Sequence, residues 1–175
     1  MLVQVSVQSL RLDRASHSPV VILQENDGER VLPIWIGPSE AGAIASELAD
    51  MKYPRPLTHD LLASIVSGLG GALQKVIISR VEASTYFAEM IIRRNGEVIS
   101  VDARPSDSIA VALRLQADIF ADEALLERGI LEAPEEPSIG ELPVPEEESD
   151  TGMAAEALKE YLRKLAPEDF GRFTP

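Results

Sequence analysis

Near the middle of the chain, Ile109-Ala110-Val111-Ala112-Leu113 would leave a helix almost no polar side to turn toward water. The pattern predicts a helix from Pro105 to Gln116, with proline at its first position. Being apolar on nearly all sides, it implies a buried helix. Hydrophobic residues make up 45% of the 175, which is enough to enclose it in one ordinary domain.

The flanking pattern changes period. Val3, Val5 and Val7 alternate with Gln4, Ser6 and Gln8, the two-residue repeat of a half-buried strand. Val20–Leu23 and Val31–Ile36 are strand candidates joined through Asn26-Asp27-Gly28, and Pro33 marks the second as an edge or as bulged there. Helices are expected over 38–52 and 58–69. The apolar stripe of the first is Ala41, Ile44, Ala45, Leu48 and Met51; that of the second is Leu61, Leu62, Ile65, Val66 and Leu69. Strands follow over 72–82, 85–94 and, after Asn95-Gly96, 98–102. A short strand at 119–120 and a helical turn at 122–128 complete an α+β domain over residues 1–131: a mixed, mainly antiparallel sheet with three main helices.

Beyond it the texture shifts. Residues 132–150 alternate proline with acid, the composition of an extended linker. Residues 151–175 carry the stripe Ala154, Ala157, Leu158, Tyr161, Leu162 and Leu165, a helix too short to be stable alone and expected to dock on its own domain or on a dimer partner. Residues 1–133 hold 12 Lys/Arg against 18 Asp/Glu, whereas residues 134–175 hold 4 against 11, so the short tail carries over half of the net charge of −13. No basic footprint for gripping nucleic acid exists, and any such contact would be local and weak. The absence of cysteine excludes a disulfide scaffold and a thiolate zinc site. No signal peptide or membrane-spanning run is evident, which gives a cytoplasmic expectation and no membrane partner.

Two segments share a grammar: Arg55-Pro56-Leu57-Thr58-His59-Asp60 and Asp102-Ala103-Arg104-Pro105-Ser106-Asp107. Each brings Arg-Pro, a hydroxyl and an aspartate to a helix start, where free N–H groups and the helix dipole favour anions. Thr58 and Ser106 read as N-caps, and with Arg55 and Arg104 as phosphate binders. Structure alone would also explain these residues as caps and ion pairs. His59 is the candidate general base or acid. Glu40, Asp60, Asp102 and Asp107 are candidate catalytic acids that could hold Mg²⁺, although their spacing is not diagnostic. Trp35 reads as a core or interface residue in preference to a stacking platform.

Three blocks in order, Leu32-Pro33-Ile34-Trp35-Ile36-Gly37 with Glu40-Ala41, then 54–61, then 102–110, resemble the bifunctional nuclease family of bacteria and plants over residues 1–131. The resemblance implies a dimeric α/β domain with DNase and RNase activity, hydrolysing phosphodiester bonds. It places the functional polar residues at Glu40, Arg55, His59, Asp60, Asp102, Arg104, Ser106 and Asp107. The alternative is a non-catalytic regulatory or binding module for a phosphorylated ligand or a protein partner.

Overall fold

The computed structural model describes residues 1–13 and 16–126, together with the backbone of 139–141. The elements run β1 (Leu2–Asp13), β2 (Pro19–Glu25), β3 (Val31–Trp35), α1 (Pro38–Leu48), α2 (Thr58–Gly68), β4 (Gly71–Glu82), β5 (Thr85–Arg94), β6 (Glu97–Ala103), α3 (Pro105–Leu115), β7 (Asp118–Asp122) and β8 (Ile139–Glu141). They belong to a unit spanning Met1–Leu142. The expected C-terminal helix lies outside the described residues. None of the described helices is long and apolar enough to cross a membrane.

The fold is α+β with a mixed sheet. The strand order is β3-β2-β1-β7-β4-β5-β6, and β8 pairs with the far end of β1. Only β4 and β7 run parallel among these neighbours. The β5–β6 turn places Asn95 and Gly96 at φ 50° and 85°, the left-handed pair that a two-residue hairpin needs. Pro33 does sit on an edge strand, where its missing N–H costs no ladder bond. β8 falls inside the segment whose composition reads as linker: three residues of backbone pairing leave no periodicity to detect.

β3 and β6 are opposite edges of this sheet. Yet Glu40, just after β3, touches Arg104, just after β6, at 2.9 Å. The sheet therefore coils until its two far corners meet, as the right-handed twist of long strands allows. α3 lies inside the coil, packed on β4, β5 and β7 and flanked by α1 and α2. Its middle residues, Ile109 to Ala112, are at most 1% exposed. Leu23, Leu32, Ile44, Ile78 and Leu126 close the core around it.

α2 is the exception to its own pattern. The helix turns His59 and Ala63 inward and leaves Leu61, Leu62, Ile65 and Leu69 exposed. An apolar stripe normally faces the core. Here the inward side of α2 meets polar groups of α3, and the leucines face away.

Candidate functional site

Both helices of the shared grammar begin one or two residues away from the expected hydroxyl caps. The N-cap of α2 is Leu57 and that of α3 is Arg104, and neither Thr58 nor Ser106 caps. Proline at the first helical position of α3 pushes the cap back to Arg104. Counting from each cap, Asp60 and Asp107 occupy the same third position of the first turn, where a carboxylate also suits the helix dipole.

Each aspartate reaches across to the other helix. Asp107 Oδ1 accepts from His59 Nε2 at 3.1 Å. Asp60 Oδ1 accepts from Arg114 Nε at 2.5 Å, and its other oxygen accepts from the Leu57 N–H at 2.7 Å. Arg114 lies two turns beyond Asp107 on α3, so one face of that helix carries both partners. Its side chain is 6% exposed and also donates to the carbonyls of Ala43 and Ala110. Asp60 is thus a structural tie among the three helices. Hydrogen bonding from Arg114, aided by Leu57, holds its carboxyl below the usual range.

Arg104 joins α1 to this pair. Nε donates to Asp107 Oδ2 at 2.7 Å, Nη2 to Asp107 Oδ1 at 3.1 Å, and Nη1 pairs with Glu40 Oε1 at 2.9 Å. The result is a continuous chain, Glu40–Arg104–Asp107–His59. Burial raises the Asp107 carboxyl, but hydrogen bonds from Arg104 and His59 outweigh that, and it stays below the ordinary carboxylate range. The Arg104 guanidinium is raised in turn, first by Asp107 and then by Glu40. A carboxylate can only accept, so His59 donates from Nε2 and presents Nδ1 as the acceptor of the neutral ring. Nδ1 has no partner among the described residues, and no buried side-chain nitrogen or oxygen there lacks one. It therefore opens to solvent in the adjoining cleft.

That cleft, about 950 Å³, is lined by all four members of the chain and by Tyr53, Thr58 and Leu62. Arg55 and Asp102 lie elsewhere: both are exposed, and neither lines the cleft. Ser106 faces a second, smaller cleft. The four acids considered for Mg²⁺ do not form a donor set, since Asp60 is bound to Arg114, Asp102 stands apart on β6, and Arg104 holds both Glu40 and Asp107. Among the described residues no group of three or more His, Cys, Asp or Glu is placed to hold a metal ion. Trp35 is 43% exposed, and so is not a core residue.

Gly37 makes room for the chain. A Cβ added there would sit 2.3 Å from Glu40 Oε2. The backbone, at φ −76° and ψ 160°, suits alanine. Gly37→Ala is expected to fold with stability within about 1 kcal/mol of the parent while pushing the Glu40 carboxylate off Arg104. A crystal structure of the variant with the 2.9 Å contact intact would contradict this.

A family model for the bifunctional nuclease domain matches residues 21–133. The chain is 41% identical over 170 residues to an uncharacterized protein of Mycobacterium tuberculosis, covering 95% of this chain and 97% of that one. It is 28% identical to bifunctional nuclease 1 of Oryza sativa subsp. japonica over 121 residues, 67% of this chain and 37% of the rice protein. With bifunctional nuclease 1 of Arabidopsis thaliana the identity is 25% over 160 residues, 85% of this chain and 49% of the plant protein.

Proposed function

The chain belongs to the bifunctional nuclease domain family, and on that premise we propose that it hydrolyses phosphodiester bonds of DNA or RNA in the cleft of His59. One observation carries the reading: His59 is fixed through Nε2 by Asp107, and its free Nδ1 opens on the cleft that Arg104 also lines. Such a ring can take a proton from a water attacking phosphorus, with Asp107 holding the tautomer and facing the imidazolium that forms. The P–O bond to the leaving ester oxygen breaks, and that oxygen takes its proton from solvent while the imidazolium returns its own to water. Arg104, its side chain 65% exposed, supplies positive charge where the phosphoryl oxygens gain negative charge. The phosphate replaces Glu40 on Nη1, and Asp107 keeps the guanidinium oriented through Nε and Nη2. Thr58, on the cleft wall, offers a hydroxyl to the substrate. Asp60 acts at one remove by fixing the start of α2 and hence the place of His59.

The test is hydrolysis of labelled single-stranded DNA and RNA by highly purified wild type, His59→Ala and Arg104→Ala, with and without EDTA. Equal activity in all three would mean a contaminant. Binding without hydrolysis in the wild type would leave a regulatory module as the function.

A homodimer fits the surface. Leu61 and Ile65 on α2 and Leu69 at its C-cap stand four residues apart and are 54%, 46% and 61% exposed, a stripe whose burial would be favourable. The wild type is expected to sediment as a dimer, and the double variant Leu61→Glu/Ile65→Glu as a folded monomer. An unchanged mass would rule this surface out.

A further inference from the structure

A second cleft, about 360 Å³, lies where the coiled sheet brings the end of β3 against the β4–β5 hairpin and the start of α3. It shares Glu40 and Arg104 with the cleft of His59, so the guanidinium stands on a ridge between the two. Its lining includes Trp35, Ile36 and Tyr86, together with the hydroxyl residues Ser84 and Ser106. Flat apolar walls, hydroxyls and a cation at the mouth make the chemistry of a nucleoside phosphate site, and the volume lies in the small-ligand range.

Two features mark it as more than a surface fold. Trp35 is the only tryptophan of the chain and stands 43% exposed, with its indole N–H tied to Asp13 Oδ2 at 3.3 Å. A large aromatic anchored at one edge and left half uncovered is what base stacking requires. Ser106 is 6% exposed, and its hydroxyl has no hydrogen-bond partner among the described residues. Since no fully buried side-chain polar atom there lacks a partner, this hydroxyl reaches the cleft that the residue lines.

We propose that this second cleft is a nucleobase subsite: an unpaired base stacks on Trp35 and hydrogen-bonds Ser106, while its phosphate lies on Arg104. The inference deepens the nuclease reading and rests on it for the class of ligand. A base can enter only after leaving its stack, so the subsite selects single-stranded over duplex substrate.

Because Trp35 is the sole tryptophan, intrinsic fluorescence of the full chain reports on this cleft. Titration with adenosine 5′-monophosphate is expected to quench it saturably, at a concentration about tenfold or more below that at which ribose 5-phosphate or inorganic phosphate acts, the difference one base stack supplies. Arg104→Ala should weaken the nucleotide tenfold or more, and Ser106→Ala severalfold. His59→Ala should leave quenching unchanged. On single-stranded substrate, Trp35→Leu should raise KM with little change in kcat. A nucleotide no tighter than phosphate, or quenching indifferent to Arg104→Ala, overturns the subsite. His59-dependent hydrolysis without quenching would sink the subsite and spare the nuclease reading, whereas quenching without hydrolysis would do the reverse.

Discussion

Replacing Asp60 by alanine is expected to destabilise the fold by about 3–5 kcal/mol, the usual cost of stranding a buried charge. The charge left behind is Arg114, whose side chain is 6% exposed. Two carbonyls still accept from it, and Glu47 stands 3.9 Å away, too far to replace the lost partner at full strength. The substitution also frees the Leu57 N–H at the start of α2. For a chain of this size the melting temperature should fall by about 6–20 °C. Arg114→Met should cost less, because the carboxylate it abandons is 35% exposed and can hydrate. The double variant should then recover part of the Asp60→Ala loss, a coupling that a double-mutant cycle measures directly. A loss below about 1 kcal/mol for Asp60→Ala would show that Arg114 is not held as described.

The same tie sets the acid limb of stability. The carboxyls of Asp60 and Asp107 are both held below their unfolded values. Their contribution is complete above the unfolded aspartate pKa of about 3.9 and disappears as pH falls through the lower folded values. Urea midpoints measured downward from pH 5 should therefore drop less steeply for Asp60→Ala than for the wild type.

Local chemistry was legible before any tertiary contact was known. The buried helix follows from Ile109–Leu113 and the β5–β6 hairpin from Asn95-Gly96, whereas Pro33 leaves an edge or a bulge open and the strand order decides for the edge. The structure brings His59 and Asp60 of one Arg-Pro segment against the helix begun by the other, but the likeness of the segments is misleading about the arginines. Arg104 is the N-cap of its own helix and reaches the aspartate three residues on. Arg55 stands two residues ahead of the Leu57 cap, in the turn, where the same reach is lost. Asp102 ends up apart because it belongs to the strand that Arg104 leaves. Arg114 escaped notice even though its signal was present: a lone charge between Leu113 and Leu115 in a buried helix must have a partner. The meeting of Glu40 with Arg104 was not readable at all, since it depends on how far an eight-stranded sheet coils.

Arg104→Ala should be the most damaging single change to hydrolysis. Removing one group that stabilises developing transition-state charge commonly costs about 10²–10³ in kcat. Here Arg104 is the only cation lining the His59 cleft among the described residues. Its loss also leaves Glu40 and Asp107 facing the phosphate with no positive charge between them. Arg104→Lys restores a charge but not the fork that spans two carboxylates, so it should recover only part of the rate. The protein should stay folded with a loss of about 1–3 kcal/mol, because the arginine itself is 65% exposed but the Glu40 and Asp107 carboxylates it leaves are only 18% and 26% exposed. In the folded protein the rate therefore falls far more than the stability does. That separation of rate from stability distinguishes a substrate-binding arginine from a structural one, which Arg114 exemplifies in the adjacent network. His59→Ala should match the loss in kcat through a different route, leaving phosphate binding intact while removing the proton acceptor. If Arg104→Ala retained more than about a tenth of the wild-type rate, well short of the loss argued above, the phosphate would be held by something other than this guanidinium.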